Sequence, residues 1–132
     1  MEVLIMAAPN ISFASVTLDC PNQEELADFY VALLGWRKER FDEEWLAVIS
    51  PDSHICLLFQ ETDDYVPPVW PNEEGKQQQM THLDFAASPK DKEAVKSHAL
   101  ACGASLASVQ YFESSTVFID PVGHPFCISF FG

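Results

Sequence analysis

FASVTLDCPNQEELADFYVALLG, from Phe13 to Gly35, decides the fold once it is set beside THLDFAASPKDKEAVKSHALACG, from Thr81 to Gly103. Each opens on a short run of alternating character, 13–20 and 81–87, and a period of two marks a half-buried strand. Each continues into a helix. In the first, Asn22 stands three residues before Glu25, and Leu26, Phe29, Tyr30, Leu33 and Leu34 recur at helical spacing before Gly35. That is an N-capped amphipathic helix with a glycine stop. The second has Ser88 as its N-cap, Pro89 at the first helical position, Asp91 three residues after the cap and Gly103 at its end.

Working outward, each helix is followed by further strand candidates: 44–49 and 55–59 in the first half, 116–119 and 126–130 in the second. The turns between them rhyme, SPDSH at 50–54 against DPVGH at 120–124. Placing Ser15 on His82, Gly35 on Gly103 and Pro51 on Pro121 requires shifts of 67, 68 and 70 residues, so the register drifts by three. The chain reads as an internal duplication of a β-α-β-β-β unit. The expected fold class is α+β, with two tandem βαβββ modules forming a curved eight-stranded mixed sheet and the helices outside. The modules span about 11–62 and 79–132 of a single domain, 1–132, joined by a linker at 63–78. That linker is rich in Pro, acid and Gln and reads as an extended connection. Its Tyr65 and Trp70 are read chiefly as surface packing, with Trp70 kept as a candidate ligand contact.

At 132 residues the chain suits one core, and at 48% hydrophobic content it can offset its ordering entropy, the first ten residues excepted. Twenty acidic against seven basic side chains give a formal charge of −13, which repels phosphate backbones and anionic lipid. No nucleic-acid or membrane partner is expected. The apolar run Val3 to Ala8 lacks a basic flank and is too short for a signal or a span, so a cytoplasmic protein is expected. The four cysteines form no C-x-x-C pair and read as reduced thiols, mostly small buried hydrophobes.

Alternation assigns faces. Ser15, Thr17 and Asp19 oppose Ala14, Val16 and Leu18; His82 and Asp84 oppose Leu83 and Phe85; Cys127, Ser129 and Phe131 oppose Phe126, Ile128 and Phe130. If the sheet curls, the polar set lines a cleft of the kind that holds a small molecule. His54 and His124 follow turn signals and read as turn or surface residues. His98 lies on a helix and packs or meets solvent.

The segments SVTLDCPNQEELADFYVALLGW (15–36), QMTHLDF (79–85) and FIDPVGHPFCIS (118–129) resemble, in order and spacing, the vicinal oxygen chelate superfamily, which includes glyoxalase I, bleomycin-resistance proteins and extradiol dioxygenases. The small glyoxalase-like domain proteins are most similar. The resemblance implies a divalent metal held from the first and fifth strands and from the closing strand of each half. Carried over, those positions are Ser15, His82, Leu57 or its neighbour Leu58, and Cys127. Among them His82 alone is an ordinary metal ligand in its expected place, while serine is a weak donor and leucine none.

The expectation is therefore a small-molecule-binding protein without cofactor or the usual metal, contacting its ligand through Ser15, Thr17, His82, Asp84, Cys127 and Trp70. A divalent metal stays open, including a zinc held by His82 and Cys127 and completed by Asp84 or water. The alternative is a lyase, isomerase or dioxygenase-type enzyme, metal-dependent or with His82 as general base and Asp84 or Cys127 assisting. A nucleophilic Cys127 would need a depressed thiol pKa supplied by His82. A homodimer is a further open expectation.

Overall fold

The computed structural model describes residues 8–131. The expectation for the N-terminal apolar run falls, apart from Ala8, outside the described residues. The order is β1 (Val16–Cys20), α1 (Gln23–Leu34), β2 (Arg37–Arg40), β3 (Leu46–Ile49), β4 (Cys56–Glu61), β5 (Leu83–Ala87), a 3₁₀ turn (Pro89–Asp91), α2 (Lys92–Cys102), β6 (Ser105–Leu106), β7 (Ser115–Ile119) and β8 (Pro125–Phe130). The eight strands are hydrogen-bonded as two four-stranded mixed sheets of identical order, β1-β4-β3-β2 and β5-β8-β7-β6. In each, the first strand runs parallel to the last and the remaining pairs are antiparallel. Val16 faces Leu57 and Leu83 faces Phe126, so the duplication extends to strand register.

Local chemistry explains most boundaries. Asn22 is extended and its side-chain oxygen accepts the Glu25 N–H at 3.0 Å, while Gly35 closes α1 at φ 70°. The second helix departs from expectation at its start, because the Ser88 side chain makes no capping bond. The Ser88 carbonyl instead accepts the Asp91 N–H at 3.0 Å, and this first turn tightens to 3₁₀ before α2 begins. Strand β2 consists of Arg37, Lys38, Glu39 and Arg40, all exposed, and has no alternation to read. It is an edge strand whose Lys38 and Arg40 bind Glu24 on α1 at 3.0 Å each, a charged edge that discourages pairing with another chain.

Both modules contribute to one apolar core. Phe126 sits at its centre, with ring centroids 5.9 Å from Phe29, 6.2 Å from Tyr30, 6.0 Å from Phe85 and 5.5 Å from Phe118. The fully buried Tyr30 donates its hydroxyl to Asp120 Oδ2 at 2.8 Å, tying α1 of the first module to the β7–β8 turn of the second. Within that turn Asp120 Oδ1 accepts the N–H groups of Val122 and His124, both at 3.0 Å. The equivalent turn of the first module uses Asp52 Oδ1 on the His54 N–H at 3.0 Å.

The linker does more than span a gap. Tyr65 donates its hydroxyl to the Val122 carbonyl at 3.0 Å, and a Cβ added to Gly123 would lie 2.6 Å from the Pro67 Cβ. The linker is thus seated on the DPVGH turn, where only glycine leaves room. His124 belongs to the expected turn and is half-buried there. Its Nε2 lies 2.6 Å from the Asp19 carbonyl of β1, and because a carbonyl only accepts, Nε2 carries the hydrogen.

Among the described residues no helix is long and apolar enough to cross a membrane. All four cysteines are free. Cys20 and Cys127 are buried as expected, whereas Cys56 and Cys102 are half-buried. Cys102 lies on α2 with its Sγ 3.6 Å from Nε2 of His98, and His98 donates across the helix pair to the Leu33 carbonyl at 3.0 Å.

Candidate functional site

His82 directly precedes β5 and Asp84 lies within it, so both point away from Leu83 and Phe85, which pack on the core. In the parallel partner β8, Cys127 is the register partner of Asp84, and in β7 Val117 is the register partner of Cys127. One sheet face therefore carries His82, Asp84 and Cys127 together. His82 Nε2 is 3.4 Å from Asp84 Oδ2, and one ligand atom from each of the three residues lies within 4.8 Å of the others. The cluster is graded in exposure: the side chain of Asp84 is 63% accessible and that of His82 37%, while Cys127 is 7% accessible.

The wall beside Cys127 comes from an unexpected source. Trp70 of the linker lies against Ala107, Val117 and Cys127, and its indole N–H donates to the Val109 carbonyl at 2.9 Å. Gln110 secures the same loop: its amide donates to the Ala107 and Val117 carbonyls at 3.0 and 2.8 Å and its oxygen accepts the Val117 N–H at 2.8 Å. Burial, and then the neighbouring Asp84 carboxylate, push the Cys127 thiol above its ordinary range. The Ser115 hydroxyl, itself accepting from Ser129 at 3.0 Å, acts weakly in the opposite sense. A thiol biased towards its protonated form is a poor nucleophile, and His82 does not supply the depression that such a role requires.

The remaining candidates divide. Thr17 lines a cavity of about 390 Å³ between β1, the linker and the β7–β8 turn, together with Asp19, Asp64, Tyr65, Gln79 and His124. Met80 and Thr81, which lead into His82, line it too. Ser15 is half-buried one residue ahead of β1 and belongs to neither group. Trp70 lines a neighbouring cavity that shares Gln78, Gln79 and Met80 with the first. Asp64, Gln79 and Gln110 carried no usable signal, because a lone polar residue in a linker or loop has no periodicity. His124 stood in a recognisable turn, yet nothing local pointed to its partner 105 residues away.

Register also settles the first module's share of the metal positions. Leu58 pairs with Thr17 and shares its face, whereas Leu57 is buried in the core. Ser15 and Leu58 offer no competent ligand, so the two-module donor set implied by the resemblance does not fit these residues. The three donors that do converge, His82, Asp84 and Cys127, all belong to the second module.

A family description, "Glyoxalase-like domain", matches residues 15–129. No curated protein sequence matches the chain. Among solved structures, the fold is similar to an integron cassette protein from the mobile metagenome of the Halifax Harbour sewage outfall, at TM-score 0.66 and 19% identity, covering 91% of this chain and 98% of that one. It is similar to the fosfomycin resistance protein FosX of Listeria monocytogenes, at TM-score 0.68 and 12% identity with 94% of each chain covered. A point mutant of that protein was solved with Mn(II) and 1S,2S-dihydroxypropylphosphonic acid. A glyoxalase/bleomycin resistance protein/dioxygenase family enzyme of Burkholderia phytofirmans PsJN matches at TM-score 0.64 and 16% identity, covering 87% of this chain and 94% of that one. With nearly the whole duplicated unit matched, from the first strand to the last, this chain belongs to the glyoxalase-like domain family of the vicinal oxygen chelate superfamily.

Proposed function

We propose that the protein binds a small organic molecule on the concave side of its sheets, without the two-module metal centre that the resemblance implies. The observation that carries this reading is the convergence of His82, Asp84 and Cys127 on one sheet face, beside Trp70 and next to a cavity of about 390 Å³. A few polar groups set against an apolar and aromatic wall orient a ligand while burial supplies its affinity. Structures of similar fold include one with a substituted phosphonic acid bound, which supports a small polar organic molecule as the ligand class.

The test is protein-observed NMR on chelator-treated full-length protein, using a panel of hydroxylated carboxylic, phosphonic and phenolic fragments. Chemical-shift changes are expected at Trp70, Met80, Thr81, His82 and Asp84, and His82→Ala is expected to weaken them. Shifts confined to the helical surface, or none with any fragment, overturn the reading.

A second reading rests on the 3.4 Å approach of Asp84 Oδ2 to His82 Nε2. A carboxylate beside an imidazole fixes its orientation, as required of a general base abstracting a proton next to a carbonyl. In this reading the protein is a lyase, isomerase or dioxygenase-type enzyme. His82→Ala abolishes turnover of any accepted substrate while leaving its binding measurable, and unchanged turnover in that variant sinks the proton-transfer role.

A further inference from the structure

We propose that the two cavities on either side of segment 78–80 together hold one amphiphilic organic cation, an arylalkyl amine, with its ring against Trp70 and its ammonium group at Asp19 and Asp64. The proposal rests on the reading that the concave side holds an organic molecule, and adds that molecule's charge and shape. The cavity of about 390 Å³ beside β1 and a second of about 300 Å³ beside Trp70 share Gln78, Gln79 and Met80, so one elongated ligand reaches both. Their walls differ in chemistry. The first presents the Asp19 and Asp64 carboxylates and the Thr17 hydroxyl, the second Val69 and the Trp70 indole. No Lys or Arg lines either one, and among the described residues neither Asp19 nor Asp64 has an ion-pair partner.

Charge selects the polar end. On a chain of formal charge −13, two uncompensated carboxylates attract an ammonium group and repel a carboxylate. His124 does not reverse this, because the hydrogen on its Nε2 is taken up by the Asp19 carbonyl. Gln79 adds an unmet acceptor: its Oε1 is buried and has no hydrogen-bond partner among the described residues, a cost that a ligand N–H offsets. Trp70 selects the other end. Its indole is fixed by the bond to the Val109 carbonyl at 2.9 Å and by Tyr111 packed edge-on at 5.7 Å, so the ring is set in place to receive an aromatic group. Met80 joins the two halves. It is 81% exposed at φ 56°, a left-handed backbone that methionine seldom adopts and that collects at ligand clamps, and its thioether suits contact with an aromatic ring.

The experiment is protein-observed NMR on the full-length chain with phenylbutylamine, butylamine, phenylbutanol and phenylbutyrate, each ring at the far end of its alkyl chain. Phenylbutylamine is expected to shift Thr17, Asp64, Gln79, Met80 and the Trp70 indole together. Removing its ring or its charge is expected to weaken binding, and phenylbutyrate to bind worst. An exposed ion pair contributes a factor of about 2–5, so Asp19→Asn and Asp64→Asn are each expected to weaken the amine by that much and to leave phenylbutanol unchanged. Glu43→Gln makes the same charge change in a separate cavity beside Trp45, and is expected to leave amine binding unchanged. Trp70→Leu is expected to weaken the amine about 2–10-fold, and ring removal in butylamine tests the same contact if that variant fails to fold. Equal binding of amine and alcohol, Glu43→Gln weakening the amine as much as Asp64→Asn, or shifts at Trp70 without any at Asp64 overturns the proposal. Shifts at His82 and Asp84 from the acidic and phenolic fragments, with none from phenylbutylamine at Thr17, Asp64 or Gln79, overturn it while leaving the reading it rests on intact.

Discussion

Tyr30→Phe removes a single oxygen from the centre of the molecule, and the structure fixes both the size and the pH dependence of the loss. The ring stays packed between Phe59 and Phe126, so no cavity opens. What disappears is the 2.8 Å hydrogen bond to Asp120 Oδ2, in a carboxylate that is 3% exposed and whose other oxygen is already occupied by two backbone N–H groups. A hydrogen bond to a charged partner contributes about 1.5–3 kcal/mol and a neutral one about 0.5–1.5 kcal/mol. The variant should therefore lose about 2 kcal/mol near neutral pH.

The sign of the pH dependence follows from Asp120. Burial holds its carboxyl above the ordinary range, despite the opposing Tyr30 hydroxyl, so its ionisation costs stability that is lost as pH rises through the folded-state pKa. Without the Tyr30 donor that pKa climbs further. The difference between the two proteins is then largest at neutral pH and shrinks in acid, where the carboxyl is protonated in both. His124, whose positive form favours the Asp120 carboxylate, is present in both and largely cancels. Urea unfolding at about pH 7 and about pH 4, straddling the ordinary carboxylate range, reads the effect. A loss below roughly 0.5 kcal/mol at neutral pH, or one that grows in acid, refutes the assignment of this contact as a buried charge-assisted link between modules.

Two other perturbations discriminate between contacts. Gly123→Ala combines φ 107° with a Cβ 2.6 Å from Pro67, whereas Gly103→Ala combines φ 119° with a nearest neighbour at 3.6 Å. Strained backbone alone costs about 1–3 kcal/mol, so Gly123→Ala should be the more destabilising by thermal unfolding and should raise hydrogen exchange along the linker; equal losses would deny the close approach. Cys127 of the metal-free native protein should resist iodoacetamide at about pH 7 and react once unfolded, because burial and Asp84 raise its thiol pKa. Stoichiometric labelling of Cys127 in the native state, mapped by mass spectrometry, would contradict its burial, at 7% exposure.

Sequence alone determined whatever is encoded within a few neighbouring residues. The Asn22 cap, the Gly35 and Gly103 stops, and the alternation that sets His82 and Asp84 opposite Leu83 and Phe85 are local, because helix and strand periods project directly onto the chain. The duplication was legible for the same reason, since each unit repeats its periods. Strand β2 was not, because four consecutive charged residues carry no period and become a strand only by pairing with the buried β3. The choice between Leu57 and Leu58 needed the β1–β4 register. Trp70 on the cluster of Ala107, Val117 and Cys127, His124 on the Asp19 carbonyl and Tyr30 on Asp120 are long-range contacts without a mutual spacing signal. Only packing two modules and their linker around one core brings them together, and that packing separates the His82–Asp84–Cys127 cluster from the cavity beside it.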